Sequence, residues 1–218
     1  SLLDPPADEQ TALAVHYYPF VIEEDILNPA LDPARRERIF RHIFHRQLAL
    51  RESFSRPVWC GETGYNILEG QEAFCRDLLL MNVSLCEEAG LGWSLWTYKD
   101  ARRMGLVIPL RDSSWMRLRS RLEEHWSHEW EMETSMAITR SLWQYYPGKP
   151  DEKLTYDLDF RVRSILHRIE TETLLKPILR TIPWEELITY PDSFRFANCE
   201  RRQLVEQGIR DLLSPGLE

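Results

Sequence analysis

Three apolar runs at similar spacing, separated by helix-patterned segments, constrain this chain more than any other feature. They are TALAVHYYPF (11–20), RPVWCGE (56–62) and GLGWSLWTY (90–98). After the first, Asp32-Pro33 reads as a helix start, with Asp as N-cap and Pro in the first helical position. Ile39, Ile43 and Leu50, with Phe40, Phe44 and Leu48, give that helix an apolar face. After the second, a helix is expected over about 71–89: Phe74, Leu78, Met81 and Leu85 fall on one face, and Gly90 suits the C′ position. Strands alternating with helices at about 40-residue spacing predict βαβ units in a parallel sheet, an α/β fold.

Beyond residue 100 the texture changes. Residues 101–113 read as a loop with one apolar patch, GLVIPL, and 114–146 as helical, rich in Trp, Glu and Arg. PGKPDEK (147–153) reads as a break, 157–176 as a helix stopped by Pro177, IPWEELI as a turn, and about 198–213 as a last helix opened by Asn198. The expected division is therefore 1–113, strand-bearing, and 114–218, helical.

Composition excludes several classes. With 27 Lys+Arg against 35 Asp+Glu, the formal net charge of −8 argues against sequence-independent nucleic-acid binding, which needs a basic face. No apolar run reaches the roughly 18–20 residues of a membrane span. The first residues, SLLDPPADEQ, show neither an initiator Met nor a signal-peptide pattern. Cys60, Cys75, Cys86 and Cys199 form no CxxC pair. On one helix Cys75 and Cys86 would lie about 16 Å apart, too far for a disulfide. Four free, mostly buried thiols are expected, which favours a reducing compartment.

The chemistry-bearing residues collect at the ends of the three strands. His16 and Tyr18 share one face of the first. The second ends in Gly61-Glu62-Thr63-Gly64, which leaves space around the carboxylate. The third carries Trp96, followed by Lys99 and Asp100. In parallel α/β folds ligands bind at the carboxyl ends of the strands, so these side chains would converge on one rim. A carboxylate there can attack an anomeric carbon, a Tyr hydroxyl can orient one of its oxygens, a His can hold the Tyr or a sugar hydroxyl, and an indole can stack on a pyranose.

HYYPF, PVWCGETG and GWSLWTYKD together resemble the last three strands of glycoside hydrolase family 5, the cellulase family. The resemblance covers about residues 11–110 and implies a (β/α)8 TIM barrel and retaining glycosidase chemistry without a cofactor or metal. The family's sixth strand carries His-x-Tyr, matched by His16 and Tyr18. Its seventh ends in Gly-Glu, whose Glu is the nucleophile, matched by Glu62. Its eighth ends in a Trp flooring the subsite beside the cleaved bond, matched by Trp96. Lys99 and Asp100 would shape the rim, with Lys99 a substrate contact. The implied partner is a carbohydrate: a β-linked glucan, mannan, glycoside or glycolipid.

Such a barrel takes roughly 250 residues. The family's acid/base Glu follows an Asn at the end of its fourth strand, and no Asn-Glu pair occurs in this sequence; the Arg that the family carries near its own second barrel strand is missing too. The simplest account is that the N-terminal half of the same protein lies outside this chain. Residues 114–218 would then be a helical extension, with 194–213 the helix closing the barrel. Two other readings stand beside this one: a non-catalytic, partial or degenerate barrel that binds glycans, and an unrelated α/β binding domain. No GxGxxG or P-loop pattern supports a nucleotide site.

The remaining polar clusters have ordinary explanations. His125 and His128, with Glu129, lack HExxH spacing and read as a surface helix face, as do His42 and His45. RRERIFRH reads as a solvated helix face, and Trp126 with Trp130, four apart, as a core or docking surface.

Overall fold

The computed structural model describes residues 8–101, 103–124, 128–148 and 151–214. It is a mixed α/β structure that divides into two units, residues 1–108 with 199–218, and residues 109–198. The expected helical half thus splits, residues 199–214 belonging with the strands.

In the first unit, β1 (Leu13–Tyr17), β2 (Val58–Thr63) and β3 (Trp93–Leu95) form a parallel sheet in that order. The connections are α1 (Pro33–Phe54) and α2 (Glu72–Glu88), which gives two successive βαβ units. Asp32 caps α1 by accepting from the Arg35 amide, with Pro33 following it in the first turn. Gly90, just past the end of α2, adopts φ +63°, a left-handed conformation that costs glycine little.

The sheet buries one face. Tyr17, Val58 and Cys60 point into a core with Phe40, Ile43 and Phe44 of α1 and Leu78, Leu79 and Val83 of α2. Ala14, His16, Gly61, Trp59 and Gly92 share the opposite face. A Cβ placed on Gly61 would lie 3.8 Å from Ala14 Cβ and from the His16 ring, and one on Gly92 would lie 3.3 Å from Trp59.

The sequence expectations differ from the structure where pairing is non-local. The third strand is expected over 90–98 but spans only Trp93–Leu95. Beyond it the backbone turns to bond with 106–107: the amides of Leu106 and Val107 donate to the carbonyls of Thr97 and Tyr98. GLVIPL is not all loop, because Val107–Pro109 forms β4, paired with β5 (Cys199–Arg201). That pairing displaces the start of the last helix, α8, to Gln203–Leu213. Asn198 does not cap it; its side-chain amide donates to the Asp192 carbonyl. α8 packs against α2.

The second unit contains α3 (Ser114–Glu123), α4 (His128–Trp143), α5 (Glu152–Glu170), α6 (Lys176–Thr181) and α7 (Trp184–Leu187). Ser113 caps α3 and Asp151 caps α5. Pro177 does not stop the helix. A π-helical turn, Thr171–Leu175, joins α5 to α6 and accommodates Pro177 at the start of α6. α4 packs on α5, where Ser135 donates to Asp159, itself paired with Arg163. Leu118, Ile182 and Tyr190 form a small separate core. His125 and Trp126 lie outside the described residues, as do the side chains of His128 and Trp130. Among the described residues no helix is long and apolar enough to cross a membrane.

Tyr17 is wholly buried and donates from its hydroxyl to the Phe40 carbonyl at 2.8 Å, tying β1 to α1. Tyr17→Phe is expected to lower stability by about 1 kcal/mol, the net worth of one buried hydrogen bond. The check is a shift in the urea midpoint with an unchanged slope.

Candidate functional site at the strand ends

The site is built by a register slip. Val15 pairs with Cys60, but His16 pairs with Glu62, so Gly61 is one extra residue on β2. A bulge of this kind reverses the face of every side chain beyond it. Glu62 thereby joins the His16 face instead of the Cys60 face, and Thr63 takes the buried position.

Glu62 receives two neighbours on one oxygen. The Tyr18 hydroxyl donates to Oε2 at 3.1 Å, and His16 Nδ1 lies 3.3 Å from the same atom. Among the described residues Oε1 accepts no hydrogen bond. The Glu62 side chain is 27% exposed, open to a ligand but shielded from bulk water on most sides. Burial pushes the Tyr18 phenol well above its ordinary pKa, and the adjacent Glu62 charge pushes it further. Tyr18 therefore remains a protonated donor across the physiological range.

The backbone around Glu62 is held from several sides. The Cys60 thiol donates to the Glu62 carbonyl at 3.4 Å. The Trp96 amide donates to the Thr63 carbonyl at 2.8 Å, which fixes the end of β3 against the end of β2. The Gln47 side-chain amide donates to the His16 carbonyl at 3.0 Å. A loop beyond β3 is secured by Arg202, whose guanidinium donates to the carbonyls of Gly105 and Arg103.

The residues singled out from the sequence are thus distributed as follows. His16, Tyr18 and Glu62 are in direct contact. Trp96 is joined to them through its backbone, and its indole is about half exposed. Lys99 stands further along, its backbone bridged to Val107. Asp100 closes a turn by accepting from the Met104 amide at 3.1 Å. All four cysteines are free, and only Cys199 is not fully buried. Among the described residues no cluster of His, Cys, Asp and Glu is arranged to hold a metal ion.

Two residues of the surrounding network have no role assigned from the sequence, Thr63 and Asn82. Asn82 carries a usable signal: it is a polar residue four after Leu78 and directly before Val83, inside the apolar stripe of α2. No family model, curated protein or solved structure matches this chain.

Gly64 follows from the same crowding. A Cβ there would lie 2.1 Å from the Trp96 carbonyl oxygen, whereas one on Gly61 meets nothing closer than 3.8 Å. Gly64→Ala is expected to cost about 1–3 kcal/mol, as overpacking against backbone does. Gly61→Ala is expected to stay within about 0.5 kcal/mol of the parent. Denaturant titration of the two variants side by side checks the contrast.

Proposed function

We propose that this chain carries the nucleophile side of a retaining β-glycoside hydrolase of the cellulase-family type. The observation that supports it is the Glu62 carboxylate at the end of a parallel strand, with Tyr18 and His16 on Oε2 and Oε1 left open. In this reading β1, β2 and β3 are the last three strands of a (β/α)8 barrel. The substrate is a β-linked glucan, mannan, glycoside or glycolipid.

The first step is displacement at the anomeric carbon. Glu62 Oε1 forms a bond to C1 as the bond from C1 to the leaving oxygen breaks. The leaving oxygen takes a proton from a carboxylic acid roughly 5 Å from Glu62, the separation that goes with retention. In the second step that same group, now a carboxylate, deprotonates a water that attacks C1 and releases Glu62. Tyr18 keeps Oε2 occupied, so a single oxygen is presented to the sugar. Trp96 supplies a stacking surface for the pyranose. The acid/base Glu is contributed by polypeptide outside these 218 residues, since the sequence holds no Asn-Glu pair.

That same lack favours a second reading, a non-catalytic barrel that binds glycans on the Trp96 rim. One experiment separates the two. The full-length natural protein is treated with a 2,4-dinitrophenyl 2-deoxy-2-fluoro-β-glycoside, and its intact mass is measured. A catalytic barrel gains one fluoroglycosyl group, located on the Glu62 peptide. Glu62→Gln abolishes labelling and lowers turnover of the unfluorinated aryl glycoside by at least about 10³-fold. Tyr18→Phe retains labelling at a rate reduced by about 10- to 100-fold. Normal turnover by Glu62→Gln would sink the assignment, and absent labelling with retained glycan binding favours the second reading.

A further inference from the structure

We infer that Thr63 and Asn82 are positioning residues for the Tyr18–Glu62 pair; the inference rests on the function proposed above. Thr63 is the last residue of β2 and is completely buried. Its hydroxyl has one hydrogen to give. Asn82 Nδ2 donates to Thr63 Oγ1 at 2.9 Å, so the Thr63 hydrogen is directed elsewhere, to the Tyr17 carbonyl at 3.0 Å. Tyr17 ends β1, and its carbonyl belongs to the peptide unit from which Tyr18 departs. Tyr18 itself has left strand geometry, at φ −130° and ψ 79°. Its direction is therefore not set by the sheet ladder, and the Thr63 hydroxyl fixes the peptide plane immediately before it.

Thr63 thus touches all three strand ends. It directly follows Glu62, its hydroxyl holds the end of β1, and its carbonyl accepts from Trp96 at the end of β3. Asn82 supports it from α2, also completely buried, and Asn82 Oδ1 has no partner among the described residues. A buried amide with an unsatisfied oxygen is costly, and a leucine at this place in the stripe would not bear that cost. The group retained there makes one directional bond, and that bond sets the rotamer of the hydroxyl beside the nucleophile. A displacement of about 1 Å at a reacting group costs on the order of 10²-fold in rate, so indirect support of this kind is kinetically visible.

The test is made in the full-length natural protein with a 2,4-dinitrophenyl β-glycoside. Thr63→Val keeps the shape and removes the hydroxyl; Thr63→Ser keeps the hydroxyl. We expect Thr63→Val to lower kcat by about 10- to 100-fold with KM within about twofold, and Thr63→Ser to stay within about threefold of the parent. Asn82→Ala should follow Thr63→Val in direction, and it carries the comparison if Thr63→Val yields no folded protein. In a Tyr18→Phe background the Thr63→Val loss should shrink to about twofold or less, because the hydroxyl acts through Tyr18. Equal losses in both backgrounds, or a Thr63→Ser as impaired as Thr63→Val, would overturn the inference and leave Thr63 a structural residue. Glu62→Gln is assayed in parallel. If it turns over normally, the hydrolase reading fails. If it is inactive while Thr63→Val has parental kcat, only the positioning role fails.

Discussion

Everything at this site depends on one extra residue in β2. Were the β1–β2 register continuous, Glu62 would follow Cys60 onto the face covered by α1 and α2. An ionised carboxylate there would lose its hydration against Phe40, Leu78 and Val83, at a high cost. Because Gly61 is bulged out of the ladder between Cys60 and Glu62, two fates are exchanged at once. The carboxylate is turned to the face of His16, and the small polar Thr63 takes the buried place. A threonine can be satisfied there, since one amide donor and one carbonyl acceptor suffice, and both are present.

The same slip explains why Glu62 is held asymmetrically. His16 near the end of β1 and Tyr18 just beyond it both reach Oε2. His16 is more than half exposed, and its attraction is screened by water. Tyr18 is better buried and cannot ionise near neutrality, which makes it the steadier of the two donors. A carboxylate with one oxygen engaged and the other open suits displacement at carbon better than bidentate pairing with a cation. That is the chemical reason for preferring a nucleophile over a structural ion pair at Glu62.

Much of this was legible in the sequence because it is local. The β1–α1–β2–α2–β3 order follows from apolar runs, the Asp32-Pro33 start and the Gly90 stop, each decided within a few residues. The convergence of His16, Tyr18 and Glu62 follows from parallel strands ending on one side. The register slip was not legible, since Gly61 reads equally well as a ladder position. Nor was the pairing of Val107–Pro109 with Cys199–Arg201, made between segments some ninety residues apart and too short for any periodicity. Pro177 misled because the π turn that accommodates it has no local signature. Asn82 stood in plain view as a polar break in an apolar stripe, but its meaning requires Thr63 and Tyr17, which lie on two strands distant in sequence.

The exposed face of the sheet bears on the proposed architecture. Parallel sheets are ordinarily covered on both faces, because their strands cannot present a solvated side as antiparallel meanders do. Here α1 and α2 cover one face, while Trp59 is nearly half exposed on the other. A residue of that size at the middle of a strand is unsuited to water and well suited to a layer of side chains pointing inward from neighbouring strands. The two sheet edges add the same demand, since β1 and β3 each leave one side of the ladder without a strand in this sheet. A closed barrel would meet both requirements with one arrangement: further strands joining β1 to β3, their inward side chains packing on Trp59. It would also bring other strand ends to the rim where Glu62 sits, which is where the proposed mechanism places its acid/base partner. In the proposed architecture the packing demand of the sheet and the chemical demand of the carboxylate are met by the same elements.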